Sequence, residues 1–262
     1  MDKEKKENPI IYKTTLTGEA DEVQKIVMQR AFEHRDECIA AYCALPQSHG
    51  GTYINSDLFK EIFPEYSASN ETRTKYDLAV HNSCAWLAQE LFDMRAQDPE
   101  VKGCIFVTGV PGVGKSFFIQ SLYEEGSIPE GYIVFEGNLC NLEASKAKFQ
   151  KLQDNGKEID IIVLSSDIKL AYENMLKRQQ EIGRGATLFT MASIASKIKA
   201  AIVMLSKLFK IRDIGVYTKV GDNNNVVIQH GADAVKGIFD YNYEDAQSYL
   251  KSLASEEKGV VM

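Results

Sequence analysis

An α/β fold, with a mostly parallel sheet carrying helices on both faces, is what this sequence predicts, and three observations predict it. Short continuous apolar runs at Cys104–Thr108, Tyr132–Phe135 and Ile159–Leu164 alternate with longer stretches of helical period. That alternation marks strands buried on both faces between crossover helices. A glycine-rich segment, Gly109-Val110-Pro111-Gly112-Val113-Gly114-Lys115-Ser116, joins the first run to a helix. Finally, 262 residues of which 44% are hydrophobic suffice for one core with elaborations.

The elements follow in chain order. Residues 1 to about 16 are polar and without period, and read as a loosely held leader. Val23, Ile26, Val27, Ala31, Ile39, Ala40 and Tyr42 predict one long helix or two broken ones between Glu19 and about Leu45, stopped by Pro46. After the turn SHGGT come a short strand, Thr52–Asn55, and a helix from Ser56 that Pro64 ends. Tyr76, Ala79, Val80, Ser83, Leu87, Leu91 and Met94 recur at helical spacing, which predicts a helix from about Lys75 to Ala96. Helices over Lys115–Tyr123, Leu142–Leu152 and Ile168–Gln180 separate the central strands. Beyond GRGAT lie a long apolar helix (Met191–Phe209), two strands (Asp213–Tyr217, Val226–Gln229) and a tail helix (Tyr243–Leu253), which follows the acidic, solvated DYNYED. Residues 1–47 are thus expected to form an amino-terminal helical extension and 48–262 the sheet domain.

Charge and cysteine content narrow the function classes. A formal charge of −7 repels a phosphate backbone and argues against a broad nucleic-acid footprint. Cys38, Cys43, Cys84, Cys104 and Cys140 contain no CxxC pair and read as reduced, mostly buried thiols. The charged start MDKEKKENPIIYKTT lacks the apolar run of a secretion signal, and no stretch is expected to reach the roughly 20 apolar residues of a membrane span. The expected place of action is a cytoplasm, that of the producing cell or of a cell into which the protein is delivered.

Gly109 to Ser116 matches GxxxxGK[ST] in full, between a buried strand and a helix. Glycines there let the backbone turn its amides onto phosphate oxygens, with the positive end of the helix dipole behind them. Lys115 then reaches the β and γ phosphates of ATP or GTP, the Ser116 hydroxyl holds Mg²⁺, and Phe117 completes the nucleotide-contacting run. The fold class sharpens accordingly to a P-loop NTPase/kinase-type parallel sheet. DxxG and NKxD of regulatory GTPases and LSGGQ of transport ATPases are absent from the sequence, which leaves the kinase branch.

Three further segments supply parts a kinase needs. In YINSDLF, Asp57 follows a strand and opens a helix, placed either to accept a hydroxyl proton or to cap the helix. In YIVFEGN, Glu136 ends a strand, where it either holds a substrate hydroxyl or the Mg²⁺ shell through water, or is a solvated strand end; Asn138 lies beside it. In RQQEIGRG, Arg178 and Arg184 either form a closing lid, around residues 178–190, or stabilise a helix end.

The segments YINSDLFKEIFPEY, AVHNSCAWLAQELF, FVTGVPGVGKS, IVFEGNL and RQQEIGRG together resemble the zeta-toxin family of P-loop kinases, over roughly residues 48–210. The resemblance implies phosphorylation of UDP-N-acetylglucosamine. It also implies the Walker lysine at Lys115, the catalytic aspartate at Asp57, the EG-motif glutamate at Glu136 and lid arginines at Arg178 and Arg184. It brings in an antitoxin or immunity protein as candidate partner. Here the aspartate segment precedes the phosphate loop, whereas in the usual zeta toxin it follows, so the motif order looks circularly permuted and the acceptor is open. Another metabolite, such as a nicotinamide dinucleotide or a nucleoside, remains an alternative acceptor, and a nucleotide-dependent effector without phosphotransfer an alternative function. His81 and Asn82 are similar to positions of permuted relatives and are candidates to face the acceptor; His81, beside Val80 and Leu87, is otherwise a satisfied helix residue.

Overall fold

The computed structural model describes residues 7–220, 225–238 and 241–260. The first residues of the leader and the first of DYNYED lie outside them. Two compact units divide the chain, Met1–Phe92 and Asp93–Met262.

The first unit opens with α1 (Glu19–Glu33) and α2 (Arg35–Cys43), the two broken helices, separated at His34 (φ −119°, ψ 39°). A 3-10 turn over Pro46–Gly51, in which His49 takes φ 49°, leads into β1 (Tyr53–Asn55). Tyr42 fixes this corner. Its ring stacks on Phe59 with centroids 3.7 Å apart, and its hydroxyl donates to Tyr53 O (2.8 Å) while accepting from Asn55 N (3.0 Å). α3 (Ser56–Phe59) follows and continues as a 3-10 turn, Lys60–Ile62. Pro64, expected to end a helix, instead opens α4 (Pro64–Ser67), because proline's fixed φ suits a first helical position and Phe63 before it is extended. The last helix to start in this unit is α5 (Asn70–Gln97), five residues earlier than apolar spacing predicts. Ser69 and Thr72 set that start by exchanging side-chain-to-backbone bonds of 2.9 and 3.1 Å.

The second unit is built on β2 (Gly103–Thr108), β3 (Tyr132–Glu136), β4 (Glu158–Ser165), β5 (Asp213–Val220) and β6 (Asn225–His230). Their order is β3-β2-β4-β5-β6; the first four run parallel and β6 is antiparallel to β5. Every residue of β2 is buried, so both of its faces are covered. The helices are α6 (Lys115–Glu124), α7 (Leu142–Asp154), α8 (Ile168–Ile182), α9 (Leu188–Leu208) and α10 (Tyr243–Val260). Together these elements make the predicted P-loop type α/β sheet. The chain leaves β2 for β3 on one side and returns to β4 on the other, so the carboxyl end of β2 is the topological switch point, where open α/β sheets bind ligands.

The expected absence of a span-length apolar stretch does not hold. By length and composition α9 is apolar enough to cross a membrane. Its Met191, Ile194, Ile198, Ile202 and Leu205 recur at helical spacing and are buried within the second unit. Cys38, Cys84 and Cys104 are buried, Cys43 and Cys140 half-buried, and all five are free thiols.

Candidate functional site

The phosphate loop leaves β2 at the switch point. Gly109 (φ 152°), Gly112 (φ 82°) and Gly114 (φ 96°) take backbone angles that side chains disfavour, and Gly112 packs where a Cβ would stand 1.9 Å from the Ala171 carbonyl oxygen of α8. Asn174 of α8 donates to the Gly112 carbonyl (3.2 Å) from the same side. Val110 is fully buried, Pro111 and Val113 half-buried, and Lys115 curls back so that Nζ donates to the carbonyls of Gly109 and Val110, 3.2 Å each. Its ammonium therefore stands over the loop it belongs to.

Helix capping marks this loop as different from its neighbours. α7, α8 and α9 begin on side-chain caps, Asn141, Asp167 and Thr187, which accept from Ala144 N, Lys169 N and Thr190 N. α6 begins on left-handed Gly114 without a side-chain cap. Its first-turn N–H groups, with the positive end of the helix dipole, suit an anion.

Glu136 closes the arrangement. β3 pairs with β2 so that Glu136 lies opposite Val107, and Glu136 Oε2 accepts from the Ser116 hydroxyl at 3.0 Å. Glu136 is half-buried, and this contact joins it to the motif's own serine. A hydroxyl and a carboxylate side by side are hard oxygen donors of the kind Mg²⁺ takes. Asn138, two residues on, is exposed, and so is Phe117, at 83%. Among the described residues no group of three or more His, Cys, Asp or Glu side chains is gathered to hold a metal ion.

Arg178 and Arg184 bracket the end of α8. Arg178 lies inside the helix, Gly183 ends it in the left-handed region (φ 72°), and Arg184 follows in the segment leading to α9; both arginines are half-buried.

The first unit holds Asp57 and His81, gathered around a residue that motif reading missed. Asn55, rather than Asp57, caps α3, accepting from Asp57 N (2.6 Å) and Leu58 N (3.1 Å). The capping role left open for Asp57 is thus taken. The Asp57 carboxylate lies 2.8 Å from Lys60 Nζ, and Asp77 of α5 lies 2.6 Å from the same nitrogen. Lys60 is only 3% exposed. Burial alone would depress its ammonium; Asp57 and then Asp77 outweigh burial and hold it well above the ordinary lysine range. His81 is pushed below its ordinary value by burial first and then by Lys60, while Asp57 and Asp77 pull the other way. Asn82 is engaged elsewhere, since its amide donates to the Ile11 carbonyl (2.7 Å) and ties down the leader. The signal for Lys60 and Asp77 was present as spacing, since Lys60 stands one turn after Asp57, and Asp77, His81 and Cys84 repeat at helical intervals.

No family model matches the chain, and no curated protein matches it. Among solved structures the chain is similar to one in the native AvrRxo1-ORF1:-ORF2 complex, at 8% identity and a TM-score of 0.42, covering 58% of this chain and 71% of that one. It is also similar to one from the PezAT chromosomal toxin–antitoxin system of the human pathogen Streptococcus pneumoniae, at 12% identity and a TM-score of 0.38, covering 64% of this chain and 95% of that one. Neither likeness is close enough to bear on activity.

Proposed function

We propose that this protein is a small-molecule kinase that transfers the γ-phosphate of ATP or GTP to a hydroxyl. The observation that carries the reading is the phosphate loop itself: an uncapped helix start, Lys115 over the loop, and Ser116 paired with Glu136, all at the switch point of the sheet. Such a loop cradles nucleotide phosphates, and the GTPase and transporter signatures that would direct it elsewhere are missing from the sequence.

The residues divide the work as follows. Gly109 to Phe117 hold the nucleotide, with Lys115 on the β and γ phosphates. Ser116 would hold Mg²⁺, which when bound neutralises charge on the transferring group. The acceptor oxygen forms its bond to the γ phosphorus as the bond to the β–γ bridging oxygen breaks, and Asp57 takes the hydroxyl proton. Arg178 and Arg184 balance the charge that develops, and Glu136, Asn138 and His81 contact the acceptor. The zeta-toxin resemblance favours UDP-N-acetylglucosamine or a related nucleotide metabolite as acceptor, and an antitoxin or immunity protein as partner.

Calorimetric titration with MgATP tests the loop. Saturable binding that is lost in Lys115→Ala, with the fold intact, is the expected result. Equal binding by Lys115→Ala would remove the basis of the reading.

A further inference from the structure

We propose that Lys60 is the positioning residue of Asp57: its ammonium holds the Asp57 carboxylate in one orientation, and Asp77 anchors that ammonium from α5. This rests on the reading of Asp57 as the proton acceptor. Two observations, both within the first unit, and one general argument support it.

The burial is asymmetric. Lys60 is 3% exposed, whereas the Asp57 and Asp77 side chains are 49% and 38% exposed. The cation lies beneath and the carboxylate it grips opens to solvent, so Asp57 can meet a solute while being held from below. The geometry is also local: α3 and the 3-10 turn after it place Lys60 one turn beyond Asp57, and the Asn55 cap fixes the start of that turn. Finally, fold stability gives little reason to keep the arrangement, since a buried ion pair contributes little net stability compared with apolar residues of the same volume.

Other titratable groups among the described residues surround Lys60, including Tyr66, whose ring centroid is 5.8 Å from the ammonium. Lys13 of the leader, whose amine burial depresses first and Lys60 further, interacts with Asp77 and donates to the Leu78 carbonyl (3.1 Å). His81 and Cys84 face the cluster from α5, and burial drives both toward their neutral forms. Lys60 contacts Asp57 directly, at 2.8 Å. A carboxylate paired in this way is a weaker base but a better oriented one. Phosphoryl transfer, in which positioning and charge stabilisation supply most of the catalysis, favours that exchange.

The test is a carboxyl ¹³C NMR titration of Asp57 in the full chain, in Lys60→Met, Lys60→Arg and Asp77→Asn. Lys60→Met should raise the Asp57 midpoint by about one pH unit, as expected for a carboxylate losing a contacting cation. Lys60→Arg should leave it nearly in place. Asp77→Asn should lower it, because the ammonium is then shared with no second carboxylate; this variant keeps the test decisive if Lys60→Met does not fold. Phosphoryl transfer from MgATP to UDP-N-acetylglucosamine should lose its acidic limb at correspondingly higher pH in Lys60→Met. A midpoint that moves in neither Lys60→Met nor Asp77→Asn overturns the role of Lys60 alone. Undiminished transfer by Asp57→Asn overturns the underlying reading of Asp57, and with it any catalytic use of the pair.

Discussion

Gly112→Ala is the sharpest perturbation of the phosphate loop. At Gly112 a Cβ would stand 1.9 Å from Ala171 O, 2.9 Å from Ala171 C and 3.0 Å from Met175 N. All three atoms belong to the backbone of α8, which cannot swing aside as a side-chain tip can. Real Cβ contacts essentially never fall under 3.0 Å, so loop and helix must separate by the 1.1 Å between that limit and 1.9 Å. The φ of 82° adds a second cost, because alanine in the left-handed region is disfavoured by about 1–2 kcal/mol. Overpacking of this kind contributes about 1–3 kcal/mol more, for a total of about 2–5 kcal/mol. Gly114→Ala is the internal control. It has φ 96° and nothing within 4 Å of the added Cβ, so it carries the backbone cost without the clash. At about 2–4 °C per kcal/mol for a unit of this size, Gly112→Ala should lower the melting temperature by roughly 10 °C and Gly114→Ala by roughly 4 °C. Calorimetric unfolding of the full chain reads both. Equal shifts in the two variants would refute the close approach of loop to α8.

Three further outcomes follow from other parts of the structure. Tyr42→Phe removes a buried hydroxyl that serves both Tyr53 O and Asn55 N, and denaturant unfolding should show a loss of about 1–3 kcal/mol. Arg212→Met leaves the nearly buried Asp160 carboxylate without the guanidinium that grips it; Arg212 is itself 46% exposed, so urea unfolding should show a discounted loss of about 1–3 kcal/mol. His81, lowered in the folded state by burial and by Lys60, binds its proton more readily when unfolded. Its stabilising contribution is therefore present above the ordinary histidine value and lost as pH falls below it, by at most about 1.4 kcal/mol per pH unit. Melting temperatures between about pH 7.5 and 5.5 should fall less steeply in His81→Gln than in the parent, and parallel curves would contradict the assignment.

What the sequence disclosed depended on how local the physics was. The central strands were legible because β2, β3 and β4 are apolar runs bounded by turns, and the phosphate loop because its glycines are required by its backbone angles. The start of α5 was not, since Ser69 and Thr72 set it through a cap in a polar stretch where apolar spacing is silent. Pro64 misled because a proline that terminates one helix and one that opens the next look alike in sequence. Asp57 and Glu136 were found as strand-end carboxylates, but their partners are tertiary facts: Ser116 meets Glu136 only once β3 pairs with β2, and Lys60 links Asp57 to α5 across a fold of the chain. That Asn55 caps α3 could have been read from its place before Ser56, and would have released Asp57 from that role at once.

The measurement that tests the kinase assignment most directly is label transfer from γ-labelled ATP, with Mg²⁺, to a panel of acceptors led by UDP-N-acetylglucosamine, for the parent protein and Asp57→Asn side by side. The expected product is a labelled small molecule that the parent makes and Asp57→Asn does not. Label released only as inorganic phosphate across the panel, at the same rate in both proteins, would contradict it.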